Sequence, residues 1–327
     1  MIKHIKIQGF KSYVEGELDL CPLTLLTGLN SSGKSSIIQA IRVLTNINQR
    51  KLKEEAFSQL SIGDLSEVKN PNCDKVEIKA MFDDDTYTLY SSKEDIILGK
   101  MPNVIYVSAS RKGATPTIPM FPNYKLGAEG ENVLNVINHY GDEILNDLLQ
   151  GDAEGKTFSY VLTGWLQKIS PGIKFEPQLS RQADTSFSLY DQHRSSNVGY
   201  GLSYTLPVIV ALLLGTILQD TLVLIENPEA HLHPRGQFEM SQLICRCVEA
   251  GANVIVESHS DHLFDGVRIY CKESERAFSD KVLAYWFQLD DDKNTIIQQC
   301  QINGRGKMNN WPKGMFDQFL IDAEKLI

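Results

Sequence analysis

Apolar and polar residues alternate over 2–8, which predicts a strand, and the apolar run "PLTLLT" (22–27) predicts a buried strand that stops at Gly28. Residues 34–47 carry apolar side chains at helical spacing. "KVEIKAMF" and "TYTLYSS" flank Asp83–Asp85 and predict an antiparallel hairpin, and "NVIYVSASR" (103–111) predicts another buried strand. Glycine and proline punctuate 112–130, the mark of a long loop. Helical periodicity returns at about 131–149 and 157–169, followed by a β pair at 172–178 and 186–191. An apolar helix then runs to about 218. Strand 221–226, helix 235–250, strand 253–257 and helix 260–271 follow in a βαβα rhythm, which predicts a parallel sheet covered by helices. The tail predicts an antiparallel pair ("VLAYWFQL", "TIIQQCQI") and a last helix from 312.

Composition narrows this picture. The chain has 327 residues, 42% hydrophobic and 22% charged, as expected of a soluble α/β protein with a large core. "LPVIVALLLGTIL" (206–218) is too short for a membrane span and starts with Pro, so it reads as a buried helix. The N-terminal alternation is not a signal peptide. Six scattered cysteines without a CxxC spacing read as reduced thiols of a cytoplasmic protein. A net charge of −9 argues against a general nucleic-acid binder, and the basic run "QRKLK" (49–53) reads as a solvated helix face.

The chemistry concentrates in two places. "GLNSSGKS" (28–35) fits G-x-x-x-x-G-K-[ST] between a strand and a helix. There the N–H groups of Gly28, Leu29, Asn30, Ser31, Ser32, Gly33, Lys34, Ser35 and Ser36 are placed to cradle the phosphates of ATP, with Lys34 on the outer phosphates and Ser35 on Mg²⁺. "LVLIENPEAHLHP" (222–234) supplies the partner acid, Glu226, at the C-terminal edge of a strand, where it would hold Mg²⁺. The next strand ends at Glu257-Ser258-His259, which puts a histidine within reach of the terminal phosphate. His231 and His233 with Cys245 and Cys247 fit no zinc spacing, because i and i+2 do not share a helix face.

The order "FKSY", "GLNSSGKS", "NVGYGLS", "LVLIENPEAHLHP", "ESHSDHL" resembles ABC-type ATPase heads of the RecF, structural-maintenance-of-chromosomes (SMC) and OLD classes. It resembles most a compact group of prokaryotic AAA-annotated proteins that share "IENPEAHLHPRGQ" and a closing "NGR…NWPKGMFDQF". The resemblance covers 1–60 and 196–327 well and the middle poorly. It implies a single ABC-type domain over 1–327: a core lobe at about 1–110 plus 200–290, a helical insertion at about 112–200, and a C-terminal hairpin and helix at about 281–327. The fold would be an α/β head with a mixed, largely parallel sheet, an antiparallel N-terminal β part and a helical insertion lobe. The resemblance also implies that Gly199 and Gly201 open a signature helix facing the triphosphate of a partner copy. Gly199 stands where the family has Ser, and Ser203 is a candidate replacement hydroxyl. It further makes Ala230–His233 the loop that crosses the dimer, His259 the switch histidine with Asp261 to orient it, and Arg111 either a nucleotide-side residue or a surface one.

Asn227 occupies the position of the residue that polarises the attacking water in such heads. An amide positions water but cannot take its proton. Slow turnover is therefore expected, with Glu229 or Glu257 as alternative bases. The leading expectation is a cytoplasmic ATPase, ATP- and Mg²⁺-dependent, that pairs with itself and serves a partner effector such as a nuclease encoded nearby, in phage defence by analogy. No built-in nuclease is expected after the "HSDHL" helix, since Asp290–Asp292 reads as a hairpin turn. The alternatives are a DNA-repair or DNA-tethering ATPase and a scaffold in which ATP is structural. Nucleic acid is not indicated by charge, and no membrane contact is expected.

Overall fold

The computed structural model describes residues 1–50, 57–274 and 277–326. The basic run at 49–53 lies outside them from residue 51 onward. The chain divides into two compact units: Met1–Val104 with Ser279–Ile327, and Ile105–Phe278.

The first unit opens with β1 (Ile2–Phe10), β2 (Tyr13–Asp19) and β3 (Leu23–Gly28), then α1 (Lys34–Arg50), a single turn α2 (Leu65–Val68), and β4 (Glu77–Phe82) with β5 (Tyr87–Ser91). β2-β1-β4-β5 form an antiparallel sheet, with Ile5 and Ile7 of β1 fully buried on one face. β2 was not legible as a strand. Its sequence, YVEGELD, buries only Tyr13 and Leu18, and pairing with β1 holds it in the sheet.

The chain passes into the second unit along β6 (Asn103–Val107), of which only Val107 is buried, fewer positions than its apolar sequence suggested. There follow β7 (Ile118–Pro119), α3 (Val133–Tyr140), α4 (Asp147–Gln150), α5 (Phe158–Ile169), β8 (Phe175–Ser180), β9 (Thr185–Tyr190), β10 (His193–Arg194) and α6 (Tyr200–Ile217). The continuous helix expected at about 131–149 is broken after Tyr140, because Ile144 and Leu145 pair with Thr157 and Lys156 instead. The expected β pair is the hairpin β8–β9. α6 is long and apolar enough to cross a membrane by length and composition. Most of it is enclosed by protein, however, with Val208–Leu213 at 0% exposure, so its apolar character is that of a core helix.

Strand β11 (Thr221–Glu226), α7 (Pro234–Glu249), β12 (Asn253–Glu257) and α8 (Asp261–Glu273) complete the second unit. β11 lies between β12 and β6, and β11 and β12 are parallel with Glu226 level with Glu257. The βαβα rhythm thus produces the parallel pairing it predicts. Every residue of β11 is buried, as a strand covered on both faces requires.

The first unit closes with β13 (Val282–Leu289), β14 (Thr295–Cys300) and α9 (Gln318–Leu326). β13 pairs antiparallel with β14 and parallel with β3. The last helix starts six residues later than expected. Pro312 begins a turn closed by Met315 N–H, and Gly314 and Phe316 have positive φ.

Candidate functional site

The phosphate loop joins β3 to α1 within the first unit, and its glycines are dictated by the neighbours. Gly28 has φ 147° and lies against β13, where a Cβ would collide with the Phe287 carbonyl. Gly33 has φ 99°, and a Cβ there would strike the Thr295 hydroxyl. Both positions require glycine for a conformational and a steric reason together.

Hydroxyls brace the loop from outside. Thr295 Oγ1 donates to the Ser32 carbonyl at 3.0 Å, Tyr13 Oη donates to the Gly33 carbonyl at 2.8 Å, and Ser12 Oγ lies 2.6 Å from Thr295 Oγ1. Ser32 Oγ closes the loop internally onto the Leu29 carbonyl at 2.7 Å. Lys34 is 3% exposed, and its ammonium donates to the carbonyls of Gly28 at 3.1 Å and Leu29 at 2.6 Å.

The N–H groups of Asn30, Ser31, Ser32 and Gly33 donate to nothing else among the described residues. Orphan donors at the start of a 17-residue helix, with a cation beside them, fit the phosphates of a nucleotide. Ser35 and Ser36 open α1 on the same turn.

The second unit holds the acidic cluster at the end of β11. Glu226 Oε2 accepts the Ala109 N–H at 3.0 Å, while its Oε1 accepts nothing among the described residues and suits a hard cation. Asn227 leaves the strand with φ 46°, its N–H donating to the Glu257 carbonyl at 2.8 Å, and its buried Oδ1 has no partner. Glu229 Oε1 accepts the His259 N–H at 2.8 Å, and its Oε2 is sealed from solvent without a hydrogen bond. Burial pushes the Glu229 carboxyl above the usual carboxylate range, against the pull of the His259 N–H and of Arg111. His259 itself is exposed.

Arg111 is no surface residue: it is 2% exposed and staples the strand end. Its Nη1 donates to the carbonyls of Ser108 at 2.8 Å and Glu226 at 2.7 Å, and its Nη2 to that of Asn227 at 2.7 Å. Burial lowers its pKa to about 10, with Glu229 the largest opposing influence. Its guanidinium also sits 5.5 Å from the Tyr204 ring.

Gly199 caps α6 without a side-chain bond, which leaves the first helical N–H groups open. Gly201 allows α6 to touch the turn after Glu229, since a Cβ would lie 2.8 Å from the His231 carbonyl. His231 (φ 63°) packs edge-on against Tyr204 at 4.5 Å. Ser203 does not join this helix end. Its Oγ is buried without a partner, and the residue lines an inner cavity with Tyr190 and Pro207. His233 caps α7 through the Arg235 N–H, and Asp261 accepts the His262 N–H.

Sequence reasoning missed Tyr13, Thr295, Ala109 and Tyr204. Only Tyr13 had a signal, its place in "FKSY". Among the described residues no group of three or more His, Cys, Asp or Glu side chains is arranged as a metal cluster.

Family profiles match along the chain: an AAA ATPase domain over residues 1–163, an AAA domain described as putative AbiEii toxin, type IV toxin–antitoxin system, over 166–265, and a protein family of unknown function, DUF3696, over 279–326. No curated protein matches at a significant level. Among solved structures, an SMC head bound to the C-winged helix domain of ScpA matches with TM-score 0.53 and 13% identity, covering 92% of this chain and 98% of that one. An SMC head with an extended coiled coil, bound to the C-terminal domain of ScpA derived from Pyrococcus furiosus, matches with TM-score 0.53 and 11% identity, covering 99% of both. The loop on β3, the acid ending β11 and these matches agree: the chain belongs to the AAA-type P-loop ATPases and has the fold of an ABC-type, SMC-like ATPase head.

Proposed function

We propose that this ATPase is a slow, magnesium-dependent switch, in which two copies close head to head on ATP and govern a partner effector in prokaryotic anti-phage defence. The observation that carries the reading is Asn227. An amide with a buried, unpartnered oxygen follows the strand-end acid, where fast turnover calls for a carboxylate. The matching SMC heads, each bound to a domain of ScpA, support a protein partner, and the likeness to the AbiEii-type AAA domain is compatible with defence.

The loop N–H groups and Lys34 hold the phosphates, and Ser35 and Glu226 are the residues that would hold magnesium. Magnesium, when bound, neutralises charge on the phosphate oxygens. Asn227 Oδ1 and Glu229 Oε2 are both closed off from solvent, so each side chain must turn outward, the amide to orient water as an acceptor and Glu229, with its raised pKa, to take the proton. His259 serves the terminal phosphate. The open helix end at Gly199 and Gly201 serves the triphosphate of the partner copy through main-chain N–H groups, a contact that needs no hydroxyl.

Steady-state ADP release should run well below roughly one per second, slow against typical enzymes. Glu229→Gln should lower it by about 10²-fold, and sedimentation with a non-hydrolysable ATP analogue and magnesium should show pairs. A rate of several per second that Glu229→Gln leaves intact would sink the slow-switch reading, and single chains under all those conditions would sink the pairing.

A further inference from the structure

The second unit carries a recess that the ATPase reading does not use. It is an open cavity of about 570 Å³ beside the loop 120–125 and the end of α3, within the span of about 300–1,000 Å³ typical of small-molecule sites. Its wall is an aromatic stack: Tyr124 lies on the imidazole of His139 with ring centres 3.6 Å apart and planes within 3°. Tyr124 is 47% exposed, so the ring that is held from beneath still offers surface above. Phe121, also exposed, adds a second apolar face.

The stack is built in advance. Buried Asn132 (φ 64°) accepts the Phe121 N–H at 3.0 Å and donates to the carbonyls of Asn123 at 2.5 Å and Lys125 at 3.2 Å. Asn135 donates to the Phe121 carbonyl at 3.0 Å, and Met120 N–H ties the loop to the Asp184 carbonyl at 2.9 Å. A loop staked at five points loses little freedom when something binds to it.

The same recess is lined by Arg181, Asn138 and Asp184. Arg181 and Asn138 are exposed, and neither has an ion pair or hydrogen bond among the described residues. A held aromatic platform, a spare guanidinium, a spare amide and a carboxylate together match one kind of small group: a planar heterocycle with N–H donors on its edge and a phosphate attached.

We propose that this recess binds one nucleotide unit, with its base stacked on Tyr124, its N–H edge on Asp184 and Asn138, and its phosphate on Arg181. Guanine, with two adjacent N–H groups on its pairing edge, suits a carboxylate best. The net charge of −9 opposes a long polyanion, so the unit is a free mononucleotide or the end of a short single strand.

The test uses the full chain with its phosphate loop saturated by a non-hydrolysable ATP analogue. It is repeated in the Lys34→Ala chain, so that it does not depend on the ATPase reading. The probes are 5′-GMP by calorimetry and fluorescein-labelled ten-nucleotide single-stranded RNA and DNA by anisotropy. Tyr124→Ala should weaken binding about tenfold or more, and Tyr124→Trp should preserve it. Arg181→Gln should weaken single-strand binding and reduce its salt slope by about one phosphate contact. ATP hydrolysis and Tm should stay unchanged in all three variants. Displacement of the strands by GMP would assign the site to free nucleotide, and displacement by strands alone would assign it to a strand end. If neither probe binds, or if binding ignores both the Tyr124→Ala and Arg181→Gln changes, the proposal falls.

Discussion

The phosphate loop and the end of β11 keep their unmet polar groups in different parts of the chain, one in the main chain and the other in side chains. Around the loop, the hydroxyls of Tyr13, Ser32 and Thr295 all find carbonyls, and the two glycines sit where no Cβ fits. At the strand end, Asn227 Oδ1, Glu229 Oε2 and Arg111 Nε are buried without partners, and Asn227, like Ser31 in the loop, holds a left-handed conformation. The loop's unmet groups are main-chain N–H donors, and those of the strand end are buried side-chain atoms of the kind found where chemistry is done. Grip on the nucleotide and speed of its cleavage should therefore be separable by mutation.

The harshest break is Lys34→Ala. It should lower ATP turnover by at least about 10²-fold and weaken binding of a fluorescent ATP analogue, because the loop's cation is its largest fixed charge. Gly28→Ala should destabilise the fold by about 2–3 kcal/mol in urea melts, since the new Cβ meets the Phe287 carbonyl in a strained backbone. Asn227→Glu sharpens the comparison from the other side: turnover should rise about tenfold with ATP affinity within about twofold, read by single-turnover assays.

The smallest effect concerns stability and pH. The Glu229 carboxyl is raised in the folded protein, so the fold favours its protonated form, and ionisation costs stability as pH climbs past the ordinary carboxylate value through the raised one. Glu229→Gln should therefore raise stability by about 1 kcal/mol at pH 8, and the gain should vanish below the ordinary carboxylate pKa. Paired thermal melts across pH 4–8 measure it. A constant difference across that range would mean that the buried Oε2 is solvated after all.

Much of this was legible in the sequence, and the reason is locality. The phosphate loop declares itself because its glycines, lysine and serine lie within eight consecutive residues whose spacing is set by the ligand. β11 and β12 declare themselves because strands covered on both faces are almost continuously apolar. What stayed hidden depends on distant partners. Arg111 reaches the carbonyls of Glu226 and Asn227 across more than a hundred residues, and Thr295 braces Ser32 across still more. Neither has a local pattern. β2 hid for a related reason: its acidic residues and Gly16 carry no strand signal, and the sheet they join supplies the order. Ser203 was misplaced because position on a helix does not reveal which wall the helix leans on.

The backbone twist at Asn227 has a historical consequence. Asparagine visits positive φ readily, whereas glutamate does so at a penalty of roughly 1 kcal/mol. A lineage trading patience for haste by one codon change would gain a proton acceptor and inherit a local conformation that resists it. Under the proposed slow switch, leisurely hydrolysis would thus be protected twice, by the side chain that is present and by the bend that its replacement would have to endure.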